Sequence, residues 1–520
     1  MKFSSPIRTA LCLLAFTAAE WLRVRRGLAG LDTAAFAALP LALLAFAALP
    51  RLRAQAFGRP LPWIFGALLA LAAEESRIVR LCAGALGVCL AAGVNERLTE
   101  RPTVRTDAAR GSWIVGLYAF LSLCALWTLY FPYCDYPDTY NQWLQISGAI
   151  PYSDIHAIAH TLLLKVALKL GGGSYAPLVG VQLMLTALLY GCFARFLLRR
   201  GARLGWLLAL IGCAVWLPDV NNVYVSALKD MPYALFLGFA TLLMMKHAES
   251  PLSLRDSILL GLLLAGAALM RLNGMLPALL CLLFVLLDRR RVWKRALAAV
   301  CAFGLCFAGA TGIAELWLKP EHPANGFSVS VFGAGLSAVA MEGGQMTPEQ
   351  EERLNSLIPM QTVKRYYQSG SPRRLVWGRD LTFDHAETRL LNNAYIIALG
   401  EHKREVIELY LALFPCNAGL MLRVLWDGMR EYLALYSPDF VQCHALWLWL
   451  TLLAACAGFR GRARMRWIAL LPVLGNVASI LISTVTNEAR YMLPTFLLLP
   501  ALLSFAALSP LDRSGEQAVQ

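Results

Sequence analysis

Charge is what this chain has least of. Only 15% of its 520 residues are charged, against 58% hydrophobic, and the mean hydropathy of +0.56 exceeds what a soluble domain carries. That scarcity excludes a soluble globular enzyme and points to an all-α integral membrane protein. Acids are rarer than bases, 33 against 47, leaving a net charge of +14. Nucleic-acid binders gather their bases on one soluble face, whereas here they fall in short clusters between apolar runs, so nucleic acid is not an expected partner. The thirteen cysteines include no CxxC pair and lie mostly in apolar segments, which argues against a zinc or redox motif. Cys416 and Cys443 fall in the large polar segment, where they could pair outside the cytoplasm. A repeated helix bundle is also lacking.

What the chain has in abundance is apolar runs. They lie at Ile7–Leu22, Ala34–Leu49, Pro62–Ala73, Leu81–Val94, Ser112–Tyr130, Tyr175–Leu198, Leu204–Leu217 and Met231–Met245, then at Ile258–Met270, Gly274–Leu287, Ala296–Trp317, Ala445–Gly458, Trp467–Thr486 and Tyr491–Leu508. This gives about fourteen expected spans. The first run lacks a small-residue cleavage site and is read as a membrane helix rather than a signal sequence. Four parts follow: residues 1–111, N-terminal helices and a basic loop; 112–318, a membrane core with a catalytic loop at 131–174; 319–443, a mainly helical extracytoplasmic domain; and 444–520, the last helices and a short tail.

Orientation follows from arginine, because cytoplasmic loops are enriched in Lys and Arg. The clusters around Arg97–Arg110, Arg199–Arg203, Arg289–Arg295 and Arg460–Arg466 all fall on one side. Arg23, Arg25 and Arg26 are the exception. The stretch Ile155–Leu170, carrying Lys165 and Lys169, would invert every later loop if it crossed, so it is expected to lie in the outer interface and to end at Gly171-Gly172-Gly173.

The same alternation puts Asp135, Asp138, Asp154, His156, His160, Lys229, Asp230, Arg271, Asn273, Glu488 and Arg490 at the outer surface. Ionisable groups near membrane depth are costly and tend to mark a site. In the soluble segment, Thr347, Pro348 and Gln350 form a helix start with a capping box.

An acid just outside a membrane helix, an in-plane amphipathic stretch, a second acid after two more spans and a large late insertion together resemble the GT-C superfamily of polytopic glycosyltransferases. Protein O-mannosyltransferases and lipid A aminoarabinose transferases are among its members. The resemblance covers roughly 112–508 as an order of features. "PDTYNQWLQI" looks like the family's first acidic loop, with Asp138 as its acid, and "DIHAIAHTLLLKV" like the interface helix that follows. "LKDMPY" resembles the second acidic loop and puts Asp230 there, and "EARYMLP" resembles the pattern before a late span, so that Arg490 would meet the donor phosphate. Where the family usually has proline after the first histidine or lysine of the interface motif, this chain has Ala157 after His156.

The resemblance implies transfer of a sugar from a polyprenyl-phosphate donor to an extracytoplasmic glycolipid, polysaccharide or protein, at a bacterial inner membrane. A carboxylate must take the acceptor's proton, a task given to Asp138, with Asp135 and Asp230 as the other candidates. A cation must meet the leaving phosphate, which falls to Arg490, Arg271 and Lys229. Asp154, His156, Gln142, Asn273, Glu488 and Tyr491 are expected to bind or orient substrate. No cofactor is expected; Asp154, His156 and His160 are the one set with metal-ligand spacing. Two rival readings are a lipid-linked oligosaccharide flippase or other transporter, and an O-antigen ligase or polymerase.

Overall fold

The computed structural model describes residues 107–216, 221–288, 293–324, 326–367, 395–433, 436–437, 440–441, 467–483 and 489–508. The expected spans before residue 107 and the one at Ala445–Gly458 lie outside the described residues. The described chain is mostly helical; its one sheet is a ladder of two-residue strands, Tyr436–Ser437 against Phe440–Val441.

The apolar runs become helices almost end for end. They are α1 (Ala108–Tyr130), α4 (Ala176–Leu198), α5 (Leu204–Trp216), α7 (Asp230–Glu249), α8 (Leu254–Met270), α9 (Met275–Leu287), α10 (Trp293–Leu318), α15 (Leu471–Ser483) and α16 (Leu493–Ala507). Between α1 and α4 run α2 (Pro137–Ser147) and α3 (Ile158–Leu170), and α6 (Asn221–Tyr224) is a single turn before α7. The later segment holds α11 (Ser330–Met341), α12 (Pro348–Leu357), α13 (Met360–Tyr366) and α14 (Lys403–Leu433).

Four described helices are long and apolar enough to cross a membrane, Ala108–Tyr130, Ala176–Leu198, Trp293–Leu318 and Lys403–Leu425, and they mark the chain as membrane-associated. The fourth lies in the segment read from sequence as extracytoplasmic. It bends where Pro415 removes a backbone donor and Asn417 leaves helical geometry, the Asn417 amide bonding both main-chain groups of Gln345.

α7 is the hub, with buried residues all round its surface and α4, α8, α15 and α16 packed on it. α1 instead buries a single stripe, Gly111, Val115, Ala119, Leu123 and Leu126, a spacing of three or four that puts them on one helix face. Its Trp113, Leu117, Leu121 and Leu129 are exposed, as are Leu305, Ile313, Leu316 and Trp317 of α10. Exposed apolar side chains on that scale suit a lipid environment. Small residues let the helices approach: Gly116 of α1 faces Gly191 of α4, and Gly261 of α8 lies against the carbonyl of Ala299 in α10. A second core, of Val329, Leu336, Val339, Leu354, Tyr395, Leu399 and Leu409 among others, joins α11 and α12 to α14. There the capping box is present as read: Gln350 N–H donates to Thr347 Oγ1 at 3.2 Å and Thr347 N–H to Gln350 Oε1 at 2.9 Å.

Candidate active site

The site begins with the loop between α1 and α4. Two backbone contacts hold it. Cys134 N–H donates to the Val225 carbonyl at 3.0 Å, just before α7. Glu321 N–H donates to the Tyr152 carbonyl at 2.8 Å, and Asp154 N–H to the Glu321 carbonyl at 3.2 Å. A third restraint lies within the loop, where Lys165 donates to the Tyr152 hydroxyl at 3.1 Å. The chain then turns into α4 through Gly172 and Gly173, whose φ of 59° and 99° suit only glycine well.

α2 starts on Pro137, which occupies the first helical position after Tyr136. Asp138 is therefore in the first turn and not at the N-cap, and its carboxylate is free to reach out of the helix. On the same side of the helix, at i+4 and i+7 from Asp138, Gln142 and Gln145 are buried, with Thr139 buried beside them. Gln142 Nε2 donates to Thr161 Oγ1 at 2.8 Å, and Gln142 Oε1 lies 3.0 Å from His160 Nδ1. These bonds clamp α2 onto α3, so Gln142 orients the helix that carries Asp138. Tyr140 and Trp143 stack on one another on the exposed face.

Asp138 Oδ2 accepts from Lys229 Nζ at 3.1 Å and from Arg490 Nη1 at 3.2 Å. These partners stand 91 and 352 positions away in sequence. Lys229 immediately precedes α7, and Arg490 belongs to the 3-10 turn Ala489–Met492 that leads into α16. The three side chains are 22%, 14% and 12% exposed, a cleft rather than open surface. Lys229 Nζ also donates to His156 Nδ1 at 3.0 Å, and Arg490 Nη2 donates to the Tyr491 hydroxyl at 3.4 Å.

Burial pushes the Asp138 carboxyl up, but Lys229 and Arg490 together outweigh it and hold the group well below the usual carboxylate range. His156 is lowered to about 4, first by burial and then by the Lys229 charge, so its imidazole is neutral and accepts from the ammonium. His160 is lowered to about 3, by burial above all, and its Nε2 has no partner among the described residues.

Behind this cluster lies a second pair. Arg271, the last residue before the 3-10 turn Leu272–Gly274, donates to Asp230 Oδ1, with both side chains buried. The Arg271 guanidinium lies 4.6 Å from the Tyr491 ring centroid and 5.6 Å from that of Tyr233. Tyr233 donates to Asn476 Oδ1 at 2.8 Å, and Asn476 Nδ2 donates to the Tyr491 carbonyl at 3.1 Å. Tyr491 is thus wedged between two arginines and anchored from below by Asn476. Neither Tyr233 nor Asn476 is among the residues singled out from sequence; a polar amide inside an apolar run was the available signal.

The other expected site residues are dispersed. Asp135 is exposed and accepts the N–H of its own neighbour Tyr136 at 2.8 Å, away from the cation pair. Asp154 turns to His322 at 2.9 Å, and His322 bonds Glu315 at 3.3 Å through its other nitrogen. Those carboxylates raise the exposed His322 imidazole. Asp154, His156 and His160 thereby point to three different partners, and among the described residues no group of three His, Cys, Asp or Glu is arranged to hold a metal. Asn273 is half-buried in the turn after Arg271. Glu488 and Cys443 lie outside the described residues, and Cys416 is exposed with a free thiol.

No protein-family model, curated protein or solved structure matches the chain. A carboxylate shared between an ammonium and a guanidinium at the mouth of a helix bundle can accept a proton, and the two cations can meet a phosphate.

Proposed function

We propose that the chain is a multi-pass membrane glycosyltransferase of the GT-C kind, with about fourteen spans, which moves a sugar from a polyprenyl monophosphate to an extracytoplasmic acceptor. The observation that carries this reading is the meeting of Asp138 with Lys229 and Arg490 on one carboxylate oxygen. A lone surface ion pair requires nothing of this sort. An acyl transferase working through a covalent enzyme intermediate is less well matched, because no Ser, Thr or Cys nucleophile bonds a base in this cleft among the described residues.

The reaction would run as a single displacement. An acceptor oxygen attacks the anomeric carbon, its proton passes to Asp138, and the bond from that carbon to the phosphate oxygen breaks. The electron pair of that bond leaves on polyprenyl phosphate, whose charge Arg490 and Lys229 neutralise. The products are the glycosylated acceptor and polyprenyl phosphate, and Asp138 returns its proton to water. Arg271, neutralised by Asp230, acts on this site through the Tyr491 ring rather than on the phosphate. The bacterial inner membrane and an extracytoplasmic active site belong to the same proposal.

The test is to follow a labelled sugar from a polyprenyl monophosphate donor in membranes holding wild type, Asp138→Asn or Arg490→Gln, and to compare cellular glycolipids and surface polysaccharides. Loss of transfer in both variants at normal abundance is the expected result. Unchanged glycoconjugates together with blocked movement of the lipid-linked sugar across the membrane would identify a transporter instead.

A further inference from the structure

The pairing that identifies the site is also an obstacle to the chemistry assigned to it. A general base works best when its proton affinity lies near the working pH, and two cations on one oxygen depress that affinity strongly. The same two cations are needed by the donor phosphate. A phosphate and a carboxylate on one Lys–Arg pair would set two anions against each other in a cleft that is mostly withdrawn from water. Neither cation has much reserve, since Lys229 also serves His156 and Arg490 also serves Tyr491.

We propose that Asp138 occupies the donor-phosphate position in the empty enzyme, so that donor binding displaces the carboxylate from Lys229 and Arg490 and only then frees it to act on the acceptor. This rests on the function proposed above and adds an order to it. The donor phosphate enters first, takes over the two cations, and turns Asp138 toward the acceptor with its basicity restored. No bond is made or broken in this step; one anion replaces another.

The surroundings of Asp138 fit a side chain that swings on a fixed base. α2 is clamped by Gln142 to His160 and Thr161, and Ser153 N–H reaches Gln145 Oε1 at 3.4 Å, so the helix has no slack. Among the described residues, the carboxylate itself makes hydrogen bonds only to the two cations. It also lies in the first turn of α2, where an acid is favoured whether or not it is paired, so release from the cations does not strand the charge. Two chemically unlike cations drawn from distant parts of the chain converge on one oxygen, as they would on a phosphate oxygen.

A residue that merely contacts the donor should weaken binding when it is neutralised; an internal competitor should strengthen it. Affinity for a ligand that must first displace a group is reduced by the fraction of time the site is blocked. The measurement is titration of farnesyl phosphate, a short polyprenyl monophosphate, into the detergent-solubilised full chain. Asp138→Asn and Asp138→Ala are expected to bind at least about tenfold more tightly than wild type. Asp138→Glu, which keeps the charge, should stay within about threefold. Lys229→Gln and Arg490→Gln should bind at least about tenfold more weakly. Equal or weaker binding by both neutral Asp138 variants, with binding still dependent on Arg490, overturns this inference and leaves the proposed function standing. Absence of any binding that depends on Lys229 and Arg490 overturns both. Should the neutral variants not fold, infrared difference spectra of the wild type provide the readout. Farnesyl phosphate is expected to shift an aspartate carboxylate band, and a spectrum without such a change overturns the inference.

Discussion

The roles proposed for Asp138, Lys229 and Arg490 fall on three single residues, and each can be tested alone. Asp138→Asn removes the proposed proton acceptor while keeping the size of the side chain, and sugar transfer is expected to fall by roughly 10²–10⁴-fold, the usual contribution of a positioned base. An assay with labelled donor in membranes checks it. Tyr233→Phe deletes one hydroxyl and leaves Asn476 Oδ1 without its donor in the interior. The expected loss is about 1–3 kcal/mol of stability, the cost of a buried polar group left unpaired, read from thermal unfolding in detergent. The two histidines supply a pH signature. Both are neutral in the folded protein, with values lowered to about 4 and about 3, whereas in the unfolded chain they titrate near their ordinary value of about 6.5. Below about 6.5 the unfolded chain therefore binds more protons, and stability is lost as pH falls from there toward 4. Asp138 adds little across most of that window, since above about 5 its carboxyl is ionised in both states. Unfolding midpoints measured between pH 7 and 4 should fall less steeply in the His156→Gln, His160→Gln double variant.

Helices of this bundle differ in how closely they meet, and glycine marks the difference. A Cβ on Gly261 would come within 2.1 Å of the Ala299 carbonyl oxygen in α10, a backbone atom that cannot rotate away. Gly261→Ala should therefore force α8 and α10 apart and cost about 1–3 kcal/mol. A Cβ on Gly191 would lie 3.4 Å from the Ser112 carbonyl, close but tolerable contact. Gly191→Ala should change stability by less than about 1 kcal/mol, and the two variants compared by thermal unfolding distinguish a forced contact from a comfortable one. Element boundaries were largely legible beforehand: α4, α5, α9 and α10 begin and end within a few residues of the apolar runs, because a run with at most one charge has no other place to go. α3 is shorter than its amphipathic stretch, starting at Ile158 rather than Ile155, since Asp154 and His156 are engaged with His322 and Lys229 and pull the preceding turn out of helical register.

At the scale of the whole molecule, the loop between α1 and α4 is tied to two regions far along the chain, 225–226 and 319–322. The second tie ends in the exposed His322, whose proton is held by Asp154 first and Glu315 next. Its stabilising effect is complete below the ordinary histidine value and fades as pH rises through the raised one. His322→Gln should therefore increase hydrogen exchange at Tyr152–Asp154 at pH 6 and change it less at pH 9. Composition, the spacing of apolar runs and the positions of arginine determine that this is a helical membrane-associated chain, because burial in lipid or core is decided residue by residue and leaves a periodic trace. They also nominate Asp138, Lys229 and Arg490, since charge at a helix mouth is conspicuous in so apolar a sequence. What they do not contain is which nominee meets which. Asp230 and Arg271 look as catalytic in sequence as Asp138 and Arg490, yet they neutralise each other in the interior, and only the packing of α7, α8 and α16 decides this. A contact across 352 positions depends on how helices assemble, and the apolar pattern that builds each helix is nearly indifferent to that choice.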